Sequence, residues 1–390
     1  MGGTLNSTAG TYDLGVNRSI ALTASGILQV DAGALTVSGA ISGAQTLTKT
    51  GSGTLLLTGT SSYSGVTTLS GGITNVTTFA NSTSSSSLGT PNSTAASRLV
   101  IDNATLLHDA ANVATTDRRF NVGVGGATLD SSAASSTNTL SFTNSGALQA
   151  NSSGNRTLTL TGSNTGDNTL GSIIVNPSSG ATSLSKTGAG KWVLNGINTY
   201  TGATNVTNGK LVVNGNISTS SLTSVSSGAT LAGSGTVGAA SVLGTLAIGN
   251  SPGTMNFASL ALGSGSTYLY EMIGGSTSAD LGDISGALTI DTASILDLVE
   301  LGTYTLGNKF TLFAYDGALT GNFSGLTNNA TFLDDLSNPW QIKYDDATAG
   351  LNGGVSASNT YVTITAIPEP NAAMLIGGLG MLALLRRRRY

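Results

Sequence analysis

Two stretches of this chain, far apart in sequence, repeat one another and decide the fold. Residues 49–76 read KTGSGTLLLTGTSSYSGVTTLSGGITNV, and residues 186–213 read KTGAGKWVLNGINTYTGATNVTNGKLVV. They align without a gap, with a short apolar segment ending at glycine, a polar turn carrying tyrosine, and a second short segment. Short strands with Gly, Asn and Ser at the corners are typical of stacked coils, because no single coil can bury its apolar face alone.

The composition of the whole chain agrees with this pattern. Of its 390 residues 54 are glycine, and only 9% are charged, whereas a quarter is usual. The mean hydropathy is nevertheless +0.18, so there is apolar surface to bury in short pieces between turn-forming residues. Helical periodicity is missing before residue 371. The sequence predicts an all-β fold, a right-handed parallel β-helix or solenoid over residues 1–365, with roughly 22 residues per coil.

Several classes of function are excluded by residue counts. The chain has no cysteine, which excludes disulfides, thiolate chemistry and cysteine-based metal sites. The net charge is −4, and four of the 15 cationic residues lie together at Arg386–Arg389. Nucleic-acid binding needs clustered Lys and Arg on the body of a domain. We therefore expect no nucleic-acid partner and no cofactor.

The chain is expected to have three parts. Residues 1–300 form the solenoid body, and residues 301–365 form terminal coils or a cap, because nearly half of the aromatic residues lie there. Residues 366–390 form a tail. Within the body, the low-complexity segment 81–97 is expected to loop out of the stack.

The start of the sequence has neither the basic region nor the apolar region of a secretory signal peptide. Met1–Asn6 is similar to the middle of a repeat. The sequence thus suggests a fragment, or a true start upstream.

The unit KTGxGxxxLxGxxxYxGxT resembles the autotransporter-associated β-strand repeat of large exported bacterial surface proteins. Residues 244–254 and 317–323 also look like segments of such proteins. The resemblance covers most of residues 1–330, and it implies a β-helical body displayed outside the cell.

The tail has three parts in a fixed order: Pro368–Glu369–Pro370, an apolar run from Ala372 to Leu385, and Arg386–Arg389. The prolines favour an extended tripeptide. A 14-residue helix is about 21 Å long, short of a hydrocarbon core of roughly 30 Å, so insertion is marginal. The four arginines would keep the tip cytoplasmic. We expect a short C-terminal transmembrane helix that anchors the chain transiently in the inner membrane.

This tail resembles a PEP-CTERM sorting signal, which is recognised by exosortase in Gram-negative, often biofilm-forming bacteria. The resemblance implies that Pro368, Glu369 and Pro370 are the recognition residues for an exosortase-type processing enzyme. It also implies that Arg386, Arg387, Arg388 and Arg389 set the orientation in the membrane.

Apparent catalytic motifs fail on their context. The GxSxG match at 249–253 has Pro252 where the oxyanion hole needs a backbone N–H. The GxGxxG match at 233–238 precedes strand-like spacing rather than a helix. The KTG triplets stand at the same place in both repeats and lack the partner motifs of penicillin-recognising enzymes. His108, the one histidine, sits at an ordinary strand end.

Acidic residues also form three close pairs, Asp280/Asp283, Asp334/Asp335 and Asp345/Asp346. None has the spacing of an EF-hand or of a calcium-binding β-roll. Solvated turns are the expected role of these pairs, and we predict no metal site.

The sequence therefore predicts a non-enzymatic structural protein of the cell surface or extracellular matrix, sorted through its tail. One alternative is an adhesin-like passenger that binds carbohydrate, including extracellular polysaccharide, or another cell. A flat Thr/Asn face or an aromatic patch near Trp192 would favour it. The second alternative is a polysaccharide-active β-helix enzyme, which needs Asp, Lys and Arg converging on neighbouring coils. The cations here are too few and too scattered for that.

Overall fold

The structure is a computed structural model that describes residues 1–95, 98–250, 252–354, 356–358 and 360–368. These residues are organised as β-strands and contain no α-helix, which confirms the all-β prediction at this level. No helix within them is long and apolar enough to cross a bilayer. The predicted transmembrane segment 372–385, together with Glu369, Pro370 and Arg386–Arg389, lies outside the described residues.

The chain divides into two compact units, Met1–Gly244 and Thr245–Tyr390. The predicted boundaries at residues 300 and 365 stay predictions. Unit 1 contains β1 to β26 in chain order: Gly3–Ser7, Thr11–Asp13, Ile20–Ala21, Gly26–Val30, Ala34–Val37, Ile41–Ser42, Leu47–Thr50, Thr54–Leu57, Thr67–Ser70, Ile73–Val76, Leu99–Asp102, Ala104–His108, Ala114–Thr116, Asn121–Val122, Ala127–Ser131, Leu140–Phe142, Arg156–Thr161, Asn168–Leu170, Thr182–Lys186, Lys191–Leu194, Thr204–Val206, Lys210–Val213, Asn216–Ile217, Thr223–Val225, Thr230–Gly233 and Thr236–Val242.

The described strand ladders of unit 1 are all parallel, and strands that are not adjacent in sequence pair with one another. Three sheets result: sheet I (β1-β4-β7-β9-β11-β14), sheet II (β2-β5-β8-β10-β12-β15-β17-β19-β21-β24-β26) and sheet III (β13-β16-β18-β20-β22-β25). The short strands β3 and β6 pair separately. The chain thus returns to each sheet once per turn, which is the topology of a β-solenoid and agrees with the predicted coil stack.

The core of unit 1 consists of columns of inward, mostly apolar side chains that run across the strands. Along sheet II the register stacks one inward position from rung to rung: Leu35, Leu55, Thr74, Leu106, Leu129, Leu160, Lys186, Val206, Val225 and Val242. All of these are buried. Each fully buried Leu or Val contributes about 1.5–3 kcal/mol, and only the neighbouring rungs can provide that burial.

The low-complexity segment leaves the strands, as expected, but it is folded back against the stack rather than free. Ser86, Ser87 and Leu88 are buried, and the Thr90 amide donates to the Tyr63 carbonyl at 2.7 Å. The organising group is Arg118. It is 5% exposed and donates to the carbonyls of Ala80, Ser84, Leu88 and Gly89 and to the Ser86 hydroxyl.

Unit 2 contains strands of both kinds. They are β27 to β37: Thr245–Ile248, Thr254–Leu262, Thr267–Ile273, Leu281–Ile284, Leu288–Ile290, Ile295–Leu301, Lys309–Tyr315, Leu319–Gly321, Thr331–Leu333, Pro339–Asp346 and Thr360–Ala366. The strands β27 to β34 pair in parallel, in the series β27-β29-β32, β28-β30-β33 and β28-β31-β34.

The last strands of unit 2 reverse this pattern. They form an antiparallel sheet in the order β33-β37-β36-β35. Its core is aromatic: Phe310, Phe313, Phe323 and Trp340 are fully buried, and the ring of Tyr268 stacks on Phe313 at 4.6 Å. The aromatic enrichment after residue 301 therefore serves a packed core.

Candidate functional site: the repeat signature and the tail exit

The lysine of each KTG triplet is buried in the stack. Lys49 stands between Leu28 and Leu69 in sheet I, and its Nζ donates to the carbonyls of Gly51 (2.8 Å) and Gly71 (3.1 Å). The Lys49 side chain thus bonds the turn after its own strand and the equivalent turn of the next rung.

Lys186 is buried in sheet II and bonds turn carbonyls in the same way. It lies in register with Leu160 and Val206, and its Nζ donates to the carbonyls of Thr187, Gly188 and Asn208 at 2.7, 2.9 and 2.9 Å. Among the described residues, neither ammonium faces a carboxylate within salt-bridge distance. The KTG triplet is therefore a structural element that satisfies turn carbonyls, in agreement with its rejection as a catalytic motif.

Burial lowers the pKa of both Lys49 and Lys186 to about 8. The ordinary lysine value is 10.5. Between these values the unfolded chain binds more protons than the folded chain, so the two lysines make the free energy of unfolding rise from pH 8 to pH 10.5.

We expect this rise to be smaller in a Lys49→Met/Lys186→Met variant. The measurement is urea unfolding of both proteins at several pH values across that interval. Tyrosines such as Tyr63, whose pKa burial raises to about 12, are present in both proteins and cancel in the difference. Parallel stability curves for the two proteins would contradict the assignment.

The tyrosine of each repeat is also structural. Tyr63 and Tyr200 are fully buried, and their hydroxyls hydrogen-bond Thr67 at 2.8 Å and Thr204 at 2.6 Å. The spacing Tyr-x-x-x-Thr places the phenol oxygen against the threonine that begins the next strand. Burial raises the pKa of the Tyr200 phenol, so it stays neutral. These pairs close the polar turn between the two strands of the repeat.

The other sequence candidates are buried in supporting roles. His108 is 0% exposed and contacts the Asn112 carbonyl through Nε2 at 2.9 Å. Trp192 is also 0% exposed, and its Nε1 donates to the Thr161 carbonyl, so Trp192 presents no aromatic surface to a ligand. Among the residues that the structure describes, no three His, Asp or Glu side chains are grouped as a metal site.

The expectation that the acidic pairs lie in solvated turns is wrong for Asp280 and Asp346, which are both buried. Asp346 pairs with Lys309 and Lys343. Asp280 is buried and accepts the Gly253 amide at 2.9 Å and the Glu271 amide at 3.0 Å. Burial raises the pKa of this carboxyl to about 7. A carboxyl group 27 residues further on thus holds the amide of Gly253, the last residue of the apparent nucleophile motif, and no sequence signal marked that contact.

The tail begins at the end of β37. Its neighbours there are the start of β33 and the start of β36: the Gly307 amide donates to the Ala366 carbonyl, and the Ile367 amide donates to the Pro339 carbonyl. Pro368 is exposed. Of the predicted recognition residues, only Pro368 is described, and it is accessible at the surface of unit 2.

Comparison with protein-family models confirms both resemblances. The model described as Passenger-associated-transport-repeat matches residues 47–76 and 184–213, the two repeats aligned above. The model described as PEP-CTERM protein-sorting motif matches residues 366–389. The chain thus carries two copies of a passenger repeat and one sorting motif, both of which are features of exported cell-surface proteins.

A curated relative points the same way. The adhesin BmaC autotransporter of Brucella suis biovar 1 (strain 1330) is 40% identical over 131 residues. That segment is 33% of this chain and 4% of the relative. The chain therefore spans only a small part of the length of this relative.

Proposed function

We propose that this chain is a non-enzymatic structural protein of the cell surface or extracellular matrix of a Gram-negative-type bacterium. The observation that carries the proposal is the sorting motif at 366–389, which begins at the last residue of β37, two residues before the exposed Pro368. The β-stranded body presents a stable surface, and the lysine and tyrosine of each repeat are buried, where they hold neighbouring turns and strands together. The passenger repeats and the adhesin relative support display outside the cell.

The finer steps of export belong to the same proposal. An exosortase-type enzyme recognises Pro368, Glu369 and Pro370, and residues 372–385 anchor the chain transiently as a short helix in the inner membrane. Arg386–Arg389 hold the tip on the cytoplasmic side by the positive-inside rule. We also propose that the parallel stack winds to the right, the hand that parallel β crossovers favour.

The tail is tested by a Glu369→Ala variant expressed in a host with exosortase. Removing the sole charge of the tripeptide should block processing, so full-length protein accumulates in the membrane fraction while the body remains folded. Deletion of 372–389 should instead release unprocessed protein from the membrane. The measurement is the size and the membrane or surface fractionation of each variant.

The matched control for the tail is Asp335→Ala, which removes one exposed carboxylate that lies outside the motif. This control should be processed like the wild type. Normal maturation and display of the Glu369→Ala variant would show that the tail is no sorting signal.

An adhesin function is favoured by one surface of unit 1. The outward positions of sheet II form a ladder of hydroxyl and amide side chains in register: Thr105, Thr128, Thr159, Ser185, Asn205, Ser224 and Ser241. A shallow groove lined by Thr105, Thr128, Thr157 and Thr159 runs over it, since Gly125 and Gly126 have no side chains there. Neutral sugars match such an uncharged hydrogen-bonding face.

A glycan-array screen separates the two functions. Binding that is lost in a Thr128→Val/Thr159→Val variant would establish the adhesin function, because the substitution removes the hydroxyls and preserves side-chain shape. Absence of binding to any glycan by the wild type would leave the structural function.

A further inference from the structure

The strand order of the antiparallel sheet brings four chain segments to one edge. At this edge lie the end of β37, the segment before β33, the start of β36 and the end of β35, because Lys309 pairs with Thr365, Trp340 with Ala366 and Leu333 with Pro339. We call this the exit edge, defined by Leu306, Leu333, Leu336 and 366–368. The chain continues from the middle of this edge into the tail.

The exit edge carries three exposed leucines. Leu306, Leu333 and Leu336 are 63%, 62% and 63% exposed. Leu306 precedes Gly307, which bonds Ala366 on one side of the exit, and Leu333 faces Pro339, which bonds Ile367 on the other side. Single exposed leucines are common on protein surfaces, but a group around one point indicates a contact surface.

The distance from this edge to the apolar run of the tail is short. Three residues, Glu369, Pro370 and Asn371, separate Pro368 from Ala372. Four Cα–Cα steps of extended chain reach at most about 14 Å. A membrane or protein that binds residues 372–385 therefore also keeps the exit edge close to its own surface.

From these observations we infer that the exit edge docks on the surface of an electrically neutral lipid bilayer while the tail is inserted, with Leu306, Leu333 and Leu336 in the interface. This inference rests on the proposed membrane insertion of the tail. It adds a second, folded contact to the anchor and fixes the height of the Pro368–Pro370 tripeptide above the membrane.

The charges at the edge fit neutral rather than anionic lipid. Asp335 is exposed, and Asp334 accepts hydrogen bonds from the Trp340 indole at 2.8 Å and the Asn338 amide at 2.7 Å. Burial, together with Asp334, raises the pKa of the Glu300 carboxyl to about 8, so it is largely protonated at neutral pH. Two cations of the sheet, Lys309 and Lys343, are paired with Asp346.

The test uses the absence of cysteine from the chain to place single labels in the full-length protein. An environment-sensitive fluorophore is attached at Ser337→Cys, on the exit edge, or at Ala318→Cys, which is exposed and follows the opposite end of β33. Each protein is mixed with phosphatidylcholine vesicles that contain a lipid with a quencher near the headgroup. We expect the label at 337 to be quenched and the label at 318 to stay unquenched.

A Leu306→Ser/Leu333→Ser variant carrying the label at 337 should lose this quenching while the protein still floats with the vesicles. Its circular dichroism should match that of the wild type, because both side chains are exposed.

Equal quenching of the labels at 337 and 318 in vesicle-bound protein would overturn the docking of the exit edge and leave the insertion of the tail intact. Protein that does not float with vesicles would overturn both. Shielding of the label only when exosortase is present would overturn lipid docking and assign the edge to a protein partner instead.

Discussion

We expect an Arg118→Met variant to lose the fold of the loop at residues 78–95 and its free energy of unfolding to fall by about 3–5 kcal/mol. The guanidinium makes five hydrogen bonds, four of them to loop carbonyls. Methionine fills the space but leaves these buried acceptors without donors, each of which costs about 1–3 kcal/mol. Urea unfolding measures the stability, and limited proteolysis reports the opening of the loop.

The matched control is Arg98→Gln, three residues after the same loop. Arg98 donates to Asn92 at an exposed position, so its loss should change stability by less than about 0.5 kcal/mol. An Arg118→Met protein that is as stable and as resistant to protease as this control would show that the loop holds itself in place.

The second large effect is expected for Gly162→Ala, at a rung corner. Gly162 has φ of 114°, and an added Cβ would lie 1.9 Å from the Ser131 carbonyl oxygen. Backbone of the neighbouring rung must move, so we expect a loss of more than about 3 kcal/mol in the free energy of unfolding. Urea unfolding followed by tryptophan emission measures it, since Trp192 bonds the adjacent Thr161 carbonyl.

Gly228→Ala separates backbone strain from collision. Gly228 also has a positive φ, 81°, but nothing lies within 4 Å of an added Cβ. This variant should therefore lose only about 1–2 kcal/mol. Equal losses for the two variants would mean that the corner spacing between rungs is not tight.

The features of this molecule that could be predicted from its sequence are those carried by local pattern. A parallel stack of short strands could be predicted from the alternation around Leu55 and Leu57, from the glycine corners and from the collinear repeats. The sorting motif could be predicted from the order of the three parts of the tail. Both KTG lysines were correctly interpreted as structural parts of the repeat.

The remaining features depend on partners that are distant in sequence. A buried lysine that bonds carbonyls of the next rung looks, in sequence, like any surface lysine. Nothing near Arg118 indicates that it organises a serine-rich loop some 30 residues earlier, and that loop was expected to stand free of the stack. The reversal to an antiparallel sheet after Lys309 is set by long-range pairing of β37, which has no local signature.

The placement of β37 has a mechanical consequence. This strand is bonded on both sides, to β33 and to β36, and both neighbours run antiparallel to it. A tension along the axis of β37 would load the hydrogen bonds of both ladders at the same time instead of opening them one by one. Under such a load the last strand would transmit force into unit 2 by shear along two ladders rather than by peeling from one.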